Sequence, residues 1–235
     1  VPDMSTTDLL LSYSRAMRRS LGLGCQATLL RQLVDSEFEA LGRRRLLSRP
    51  TEPLAVLHTT GWSSVEKWRA GLSRKRRYKL RQTERALSEG SAVEVALVPG
   101  ASLEVAETVA LLRHNERKYG GGPFSPLPQS TGYLAELLRQ PDVLAICYRD
   151  RSTGVLLAIG TVFDHRDRPV LRHYSALPIV RARFPDLNLY TNLYQLLVGW
   201  AIEASKEQVI IGKGMLDIKQ SLGAELLPQY AAVVR

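Results

Sequence analysis

The chain has 235 residues, 45% of them hydrophobic and 23% charged, an ordinary globular composition that suits one full core plus a smaller appendage. Its net charge of +9 says little about fold but points to an acidic partner: nucleic acid, a phosphate-rich cofactor or an anionic membrane. No apolar run approaches the ~18 residues that span a bilayer, and no signal peptide is legible. Val1, Pro2 and Asp3, ahead of Met4, read as vector sequence. Cys25 and Cys147 stand far apart, outside any CxxC or CxxH pattern, so free buried thiols in a reducing, cytoplasmic setting are expected.

Residues 6–47 read as helical. "DLLLSYSRAMRRSLG" sets Leu10, Tyr13, Met17 and Leu21 on one face, and "QATLLRQLVDSEFEALGRRR" does the same with Leu30, Leu33, Val34, Phe38 and Leu41. The two prolines of "SRPTEP" break the pattern, and "LAVLHTT" is a strand. A helix over 63–89 follows, with an interruption expected at Gly71 and an end at Gly90. "SAVEVALVPG" alternates as a strand, and 102–119 return to helix. "GGGPFSPLPQS" (120–130) is a loop placed to act as a lid or as a plain connector. "GYLAELLRQ" is a helix that stops at Pro141.

"DVLAICYRD", "GVLLAIGTVFD" and "PVLRHYSALP" are three strands joined by short polar connectors, hence an antiparallel meander. Leu189, Leu193, Leu196, Leu197, Trp200, Ala201 and Ala204 then form the apolar stripe of a long helix. A short strand "VIIG", a short helix around "LDIKQSLG" and a last strand near "LPQYAAVV" complete the chain.

This order of elements resembles the GNAT acyltransferase fold: a mixed α/β (α+β) sheet containing an antiparallel meander, flanked by helices, over 51–235, with 1–50 as an N-terminal helical segment. "LSRKRRYKLRQTERALSEG" is similar to the L-S-x-x-x-R-x-x-L-R-x-x-x-R segment of the Fem-like branch of GNAT proteins. The ending "LYTNLYQLLVGWAIEASKEQVIIGKGMLDIKQSLGAELLPQY" resembles that branch's long helix, glycine-flanked strand, lysine, L-G-A and proline: here Gly212, Gly214, Lys219, Leu222, Gly223, Ala224 and Pro228. The likeness covers roughly residues 54–235. It implies transfer of an aminoacyl group from aminoacyl-tRNA to an amine, with no cofactor, or use of acyl-CoA as in other members. Fem ligases carry two tandem domains and this chain has room for one, so the acceptor is taken no further than a small-molecule or peptidyl amine.

The segment "SRKRRYKLRQTER" packs seven basic residues and one acid into thirteen positions. On a helix of about 100° per residue, Arg74, Arg77, Arg81 and Arg85 lie opposite Leu72, Leu80, Thr83 and Leu87. They form either a solvated face or, with Lys75, a tRNA-binding surface. Arg76 and Lys79 project from the apolar side, where a cation either snorkels or meets an anion; a phosphate or carboxylate of a ligand is expected.

CoA-using GNAT enzymes carry R-x-x-G-x-G/A after the fourth strand, where backbone N–H groups cradle the pyrophosphate. The corresponding "VRARFPDLNLYTN" has Arg181, Arg183 and Asn188 but no glycine, and Pro185 has no N–H. The arginines suit the unpaired, phosphate-rich acceptor end of a tRNA, or are plain loop charges. The resemblance assigns Lys219, with Lys213 as a weaker companion, to the donor phosphate or terminal ribose.

In "LRHYSAL", alternation puts Arg172 and Tyr174 on one face and His173 and Ser175 on the other. His173 is a candidate base, Tyr174 a candidate acid or guide of the leaving 3′-oxygen, and Glu116 a candidate for binding the acceptor amine. A structural role competes for each. His58, His114, His165 and His173 lack metal spacing, and neither a phosphate-binding P-loop nor a G-x-S-x-G elbow occurs. A catalytically silent module that binds RNA or a protein is the remaining alternative.

Overall fold

The computed structural model describes residues 5–88, 91–119, 129–185 and 187–234, apart from the side chains of residues 6, 23, 117–119 and 181. Eight strands form one mixed sheet: β1 (Thr28–Leu33), β2 (Arg45–His58), β3 (Val93–Pro99), β4 (Val143–Asp150), β5 (Leu156–Phe163), β6 (Val170–Ala176), β7 (Gln208–Gly212) and β8 (Glu225–Val234). Their order is β1-β8-β2-β7-β6-β5-β4-β3. Apart from short 3₁₀ turns, the helices are α1 (Thr6–Leu21), α2 (Asp35–Leu41), α3 (Val65–Ala70), α4 (Arg74–Ala86), α5 (Val105–Tyr119), α6 (Thr131–Arg139), α7 (Ile179–Arg183), α8 (Leu189–Glu203) and α9 (Leu216–Gln220). Among the described residues no helix is long and apolar enough to cross a membrane.

The chain divides into two compact units. The smaller holds Val1–Ala55, Lys213–Leu216 and Leu226–Arg235. Its core is Leu30, Leu33, Leu41, Ala232 and Val234, with Leu10, Leu11, Phe38 and Tyr230 packed around them. Here the helical reading of 26–45 is corrected: the segment is strand β1 followed by the short helix α2. Leu30 and Leu33 are both buried, a spacing of three that imitates a helix. Its cause is a bulge. The ladder with β8 shifts register between Leu30 and Leu33, and Gln32 sits at φ 64°, so one extra residue turns Leu33 back to the core side. The expected break at "SRPTEP" is likewise replaced by continuous strand, since proline's fixed φ lies within the extended region. In α1 the buried face centres on Ser14 with Leu10 and Met17 beside it, while Tyr13 and Leu21 are exposed.

The larger unit comprises Val56–Gly212 and Asp217–Glu225. The meander is as the connectors imply: β4–β5 and β5–β6 are antiparallel, and β3 adds to β4. One face of this sheet is covered by α5 and α6, through Val109, Leu111, Leu112 and Leu134 against Ala145, Cys147, Leu156 and Ile159. The other face carries α8. A Cβ on Gly160 would lie 2.5 Å from Leu193 Cδ1, so only glycine lets the helix approach β5 this closely. Helices α3 and α4 pack on α8. That is why α8 is buried around most of its circumference rather than along a single stripe. The break between α3 and α4 falls at Gly71, as expected. Helix α4 is capped by Leu87; the stop expected at Gly90 and the loop residues 120–128 lie outside the described residues.

Candidate active site

Strand β6 pairs with β5 along its length, from Val170 opposite Phe163 to Ala176 opposite Ala158. Towards β7 it runs parallel, and among the described residues the register holds only at Val170–Ile210, beside the bond from Ile210 N–H to the Pro169 carbonyl at 2.9 Å. No further β6–β7 pair is formed among the described residues, and β7 ends at Gly212. Backbone groups along that edge of β6 become available to a bound molecule, since a strand edge must find partners elsewhere.

On the α5 side of the sheet, His173 stands opposite Thr161 in the ladder. Its Nδ1 is 2.8 Å from Thr161 Oγ1, and its Nε2 is 3.2 Å from Gln129 Oε1. The Gln129 N–H donates to Glu116 Oε1 at 3.3 Å, and Arg113 Nη2 donates to the Gln129 carbonyl at 3.3 Å. Two of the residues singled out in the sequence, His173 and Glu116, are thus brought together through Gln129. Glu116 Oε2 is buried and accepts no hydrogen bond from the described residues. Ser175, two residues on, donates to the Leu111 carbonyl at 2.6 Å and locks β6 to α5.

Burial, and secondarily the charge of Arg172, lowers the His173 pKa to about 4. The imidazole is therefore neutral in the folded protein at pH 7, a lone-pair donor rather than a cation. The sign of the linkage follows. Between about pH 6.5 and 4 the unfolded chain binds a proton at this position that the folded chain refuses, so stability falls as the pH drops through that window. The loss is expected to reach ~3 kcal/mol from this residue. Urea unfolding at pH 7 and pH 4.5 should show it, and His173→Gln should be flatter over the same interval; equal pH dependence of the two proteins would refute it.

Tyr174 lies on the other side of the sheet and does not join His173 and Glu116. Its ring centroid is 5.0 Å from that of Tyr190, which meets Tyr194 edge-on at 4.9 Å. Tyr194 donates to the Tyr190 hydroxyl at 2.6 Å, and Tyr148 donates to Asn192 Oδ1 at 2.9 Å. Burial pushes the Tyr148 and Tyr194 hydroxyls well above the usual phenol range, so both stay protonated. Gln129, Thr161, Tyr190 and Tyr194 were not legible as site residues. Thr161 follows only from strand register, Gln129 only from the return of the chain after 120–128, and the two tyrosines only from the packing of α8.

The basic residues do not share one environment. Arg76 turns inward, as expected, and hydrogen-bonds Ser221 Oγ; burial lowers its pKa. Lys79 does not: it is exposed, with Arg74, Lys75 and Arg81. Its position beside Leu80 leaves it at the border of the buried arc, where a long flexible stem reaches water. Arg77 folds back to the carbonyls of Ala70 and Leu72 and closes the α3–α4 junction, and Arg85 is exposed. Arg183 pairs with the buried carboxylate of Asp150 at 2.7 Å, and hydrogen bonds from Ser152 hold that carboxyl below its ordinary pKa. Arg181 is in α7, its side chain outside the description. Asn188 caps α8 by accepting from Thr191 N–H at 3.0 Å.

Lys213, between Gly212 and Gly214 at φ 75° and 76°, donates to Thr51 Oγ1 at 3.2 Å. Lys219 is only 2% exposed. It belongs to the turn in which Leu222 is buried and Gly223 takes φ 91°, a conformation that favours glycine. Both cysteines are free thiols, Cys147 buried and Cys25 half-buried. A shallow hollow at β3 and β4, lined in part by Glu94, Cys147 and Arg149, lies apart from His173 and offers little chemistry. Burial pushes the Cys147 thiol up to about 11, and Arg149 is paired with Glu107 at 2.9 Å.

Neither a protein-family model nor a curated protein matches the sequence. Solved structures do match its fold. The C-terminal domain of a putative lysylphosphatidylglycerol synthetase from Agrobacterium fabrum aligns over 95% of this chain and 72% of its own, with TM-score 0.68 and 13% identity. FemX aligns over 97% of this chain and 76% of its own, with TM-score 0.64 and 9% identity. A tandem GNAT protein from the clavulanic acid biosynthesis pathway aligns over 96% and 69%, with TM-score 0.54 and 11% identity. The chain has a GNAT-like fold. At these identities the likeness is one of architecture.

Proposed function

We propose that the protein is an acyltransferase that forms an amide bond by moving an aminoacyl group from an aminoacyl-tRNA to an amine of a small-molecule or peptidyl acceptor. The observation that carries this reading is the segment after β6. Where a CoA pyrophosphate would need a glycine loop, the chain forms α7, commits Arg183 to Asp150 and continues through Pro185. A donor held mainly through its nucleic acid does not need that cradle. The charge supports it: residues 63–88 hold nine basic side chains against two acidic ones. Two of the similar structures are described as FemX and as a putative lysylphosphatidylglycerol synthetase, and the second name itself denotes attachment of an amino acid.

The chemistry asked of the site is modest, because the ester of the donor is already activated. Glu116 attracts the acceptor as an ammonium on its buried Oε2, and the ammonium gives one proton to water before it attacks. As the resulting amine adds to the ester carbonyl, His173 takes a second proton at Nδ1 through the Thr161 hydroxyl and returns it to the ribose oxygen, which leaves as the hydroxyl. Backbone N–H groups on the β6 edge receive the developing oxyanion. Tyr174, on the opposite face with Tyr190, is assigned to guide the donor's terminal ribose. Lys219, buried in its turn, and Arg76, bonded to Ser221 there, are assigned to the donor side, as are Arg181 and Asn188 in the segment after β6.

The description of the tandem GNAT protein mentions AcCoA, so acetyl-CoA is the competing donor. Thermal unfolding of the protein with mixed aminoacyl-tRNA, uncharged tRNA or acetyl-CoA separates them. A ligand at 100 times its Kd adds about 2.7 kcal/mol. Stabilisation by aminoacyl-tRNA that weakens with salt, followed by transfer to a supplied amine, is the expected result. Stabilisation by acetyl-CoA alone would replace this donor with a thioester.

A further inference from the structure

Helix α4 carries one large exposed aromatic, Tyr78, 66% exposed. The buried residues of the helix, Leu80 and Thr83, and the inward-turned Arg76 occupy one side. At about 100° per residue, Tyr78 stands diametrically opposite them. Within about 60° of Tyr78 on the helical projection lie Arg74, Lys75, Arg81, Gln82 and Arg85: four cations, one amide and no carboxylate. The acid of the helix, Glu84, is drawn to the flank by Arg69 at 3.1 Å and Gln195 at 3.2 Å. The internal bonds of Arg76 and Arg77 remove those two from the outer surface, so the charge that faces water is set around the ring.

Each neighbour narrows the partner. A row of cations without acidic partners among the described residues fits a polyanion, and a single flat ring at its centre fits a partner with flat apolar faces of its own. Phosphates flanking an unpaired base supply both. A lipid surface would need a wider apolar face, whereas Tyr78 is the sole large apolar group on this side of the helix. A duplex would satisfy the cations but bury its bases. We propose that the outward face of α4 binds single-stranded RNA, with Tyr78 stacked on an unpaired base and Arg74, Lys75 and Arg81 on the adjoining phosphates. This rests on the reading of the donor as a tRNA, whose terminal nucleotides are unpaired.

Fluorescence anisotropy of the full chain with labelled uncharged tRNA, a single-stranded oligonucleotide and a duplex of equal phosphate number tests it, with anionic phosphatidylglycerol vesicles as the competing surface. Tyr78→Ala is expected to weaken binding to tRNA and to the single strand about tenfold or more while Tyr78→Phe keeps it. The paired change Arg74→Gln with Arg81→Gln should reduce the salt slope by roughly 0.7 per cation on the single strand. An unchanged melting temperature of Tyr78→Ala, an exposed site, confirms that the fold is intact. Tight tRNA binding that Tyr78→Ala leaves untouched overturns the stacking assignment and leaves the tRNA donor standing. No RNA binding by the unaltered protein, with or without binding to vesicles, overturns both.

Discussion

Amide formation by the His173→Ala protein is expected to fall about 10²- to 10⁴-fold, the range a positioned proton acceptor supplies. The imidazole is held on both nitrogens, by Thr161 at 2.8 Å and Gln129 at 3.2 Å, so its ring has a fixed orientation. With its pKa lowered to about 4, it remains neutral throughout the range in which an amine can attack. The acid limb of the rate profile contributed by His173 should therefore lie near pH 4 rather than near 6.5. Glu116→Gln should separate the roles. The amide keeps the shape and the bond from Gln129 N–H, but it no longer attracts an ammonium, so KM for the amine should rise more than kcat falls. Steady-state kinetics of both variants across pH 5 to 9 decide the matter. Turnover of His173→Ala within a factor of three of the unaltered protein would dismiss His173 as the base.

The second large effect is on stability. Trp68→Ala is expected to destabilise the protein by about 3–5 kcal/mol. Trp68 is 1% exposed; its Nε1–H donates to the Leu222 carbonyl at 2.9 Å, and its ring lies 6.3 Å from that of Trp62. Truncation leaves a cavity beside the turn at Leu222 and Gly223 and a buried carbonyl without its donor. Trp68→Phe keeps most of the ring and should lose roughly a third of that amount, chiefly the hydrogen bond. Urea unfolding at pH 7 measures both, and a loss under ~1 kcal/mol for Trp68→Ala would mean that the turn is held from elsewhere. Transfer activity should fall as well, because the turn that Trp68 anchors also carries Ser221, the partner of Arg76, and the buried Lys219.

The elements legible in the sequence are those whose signal is local. The three strands of the meander announced themselves through alternation and short connectors. The interruption at Gly71 and the long helix α8 were equally plain. So was most of the inward side of α4, Leu80, Thr83 and Arg76, because the buried arc of a helix follows from spacing; Lys79, at the border of that arc, was misplaced. The strand β1 was not legible. Its bulge at Gln32 gave Leu30 and Leu33 a helical spacing, and nothing local distinguishes a bulged strand from an amphipathic turn. The prolines of β2 misled for a related reason: they limit hydrogen bonding, not extension.

For the candidate site the same division holds. Residue type and alternation sufficed to separate His173 from Tyr174 and to mark Glu116, Arg76 and Lys219 for attention. Whether those groups meet depends on pairings far apart in the chain. Thr161 reaches His173 because β5 and β6 share a register, and Glu116 reaches it because Gln129 returns beside α5. Burial of the imidazole in the fold, with the charge of Arg172, keeps it neutral. Charge shows the contrast most plainly. Composition and spacing by themselves established a strongly basic helix with one apolar side. Tertiary packing decided which of its cations remain for a partner, by turning Arg76 to Ser221 and Arg77 to the α3 carbonyls while leaving Arg74, Lys75, Lys79 and Arg81 in water. A cation's partners lie wherever the fold brings an oxygen within reach, and periodicity along one helix carries no record of that.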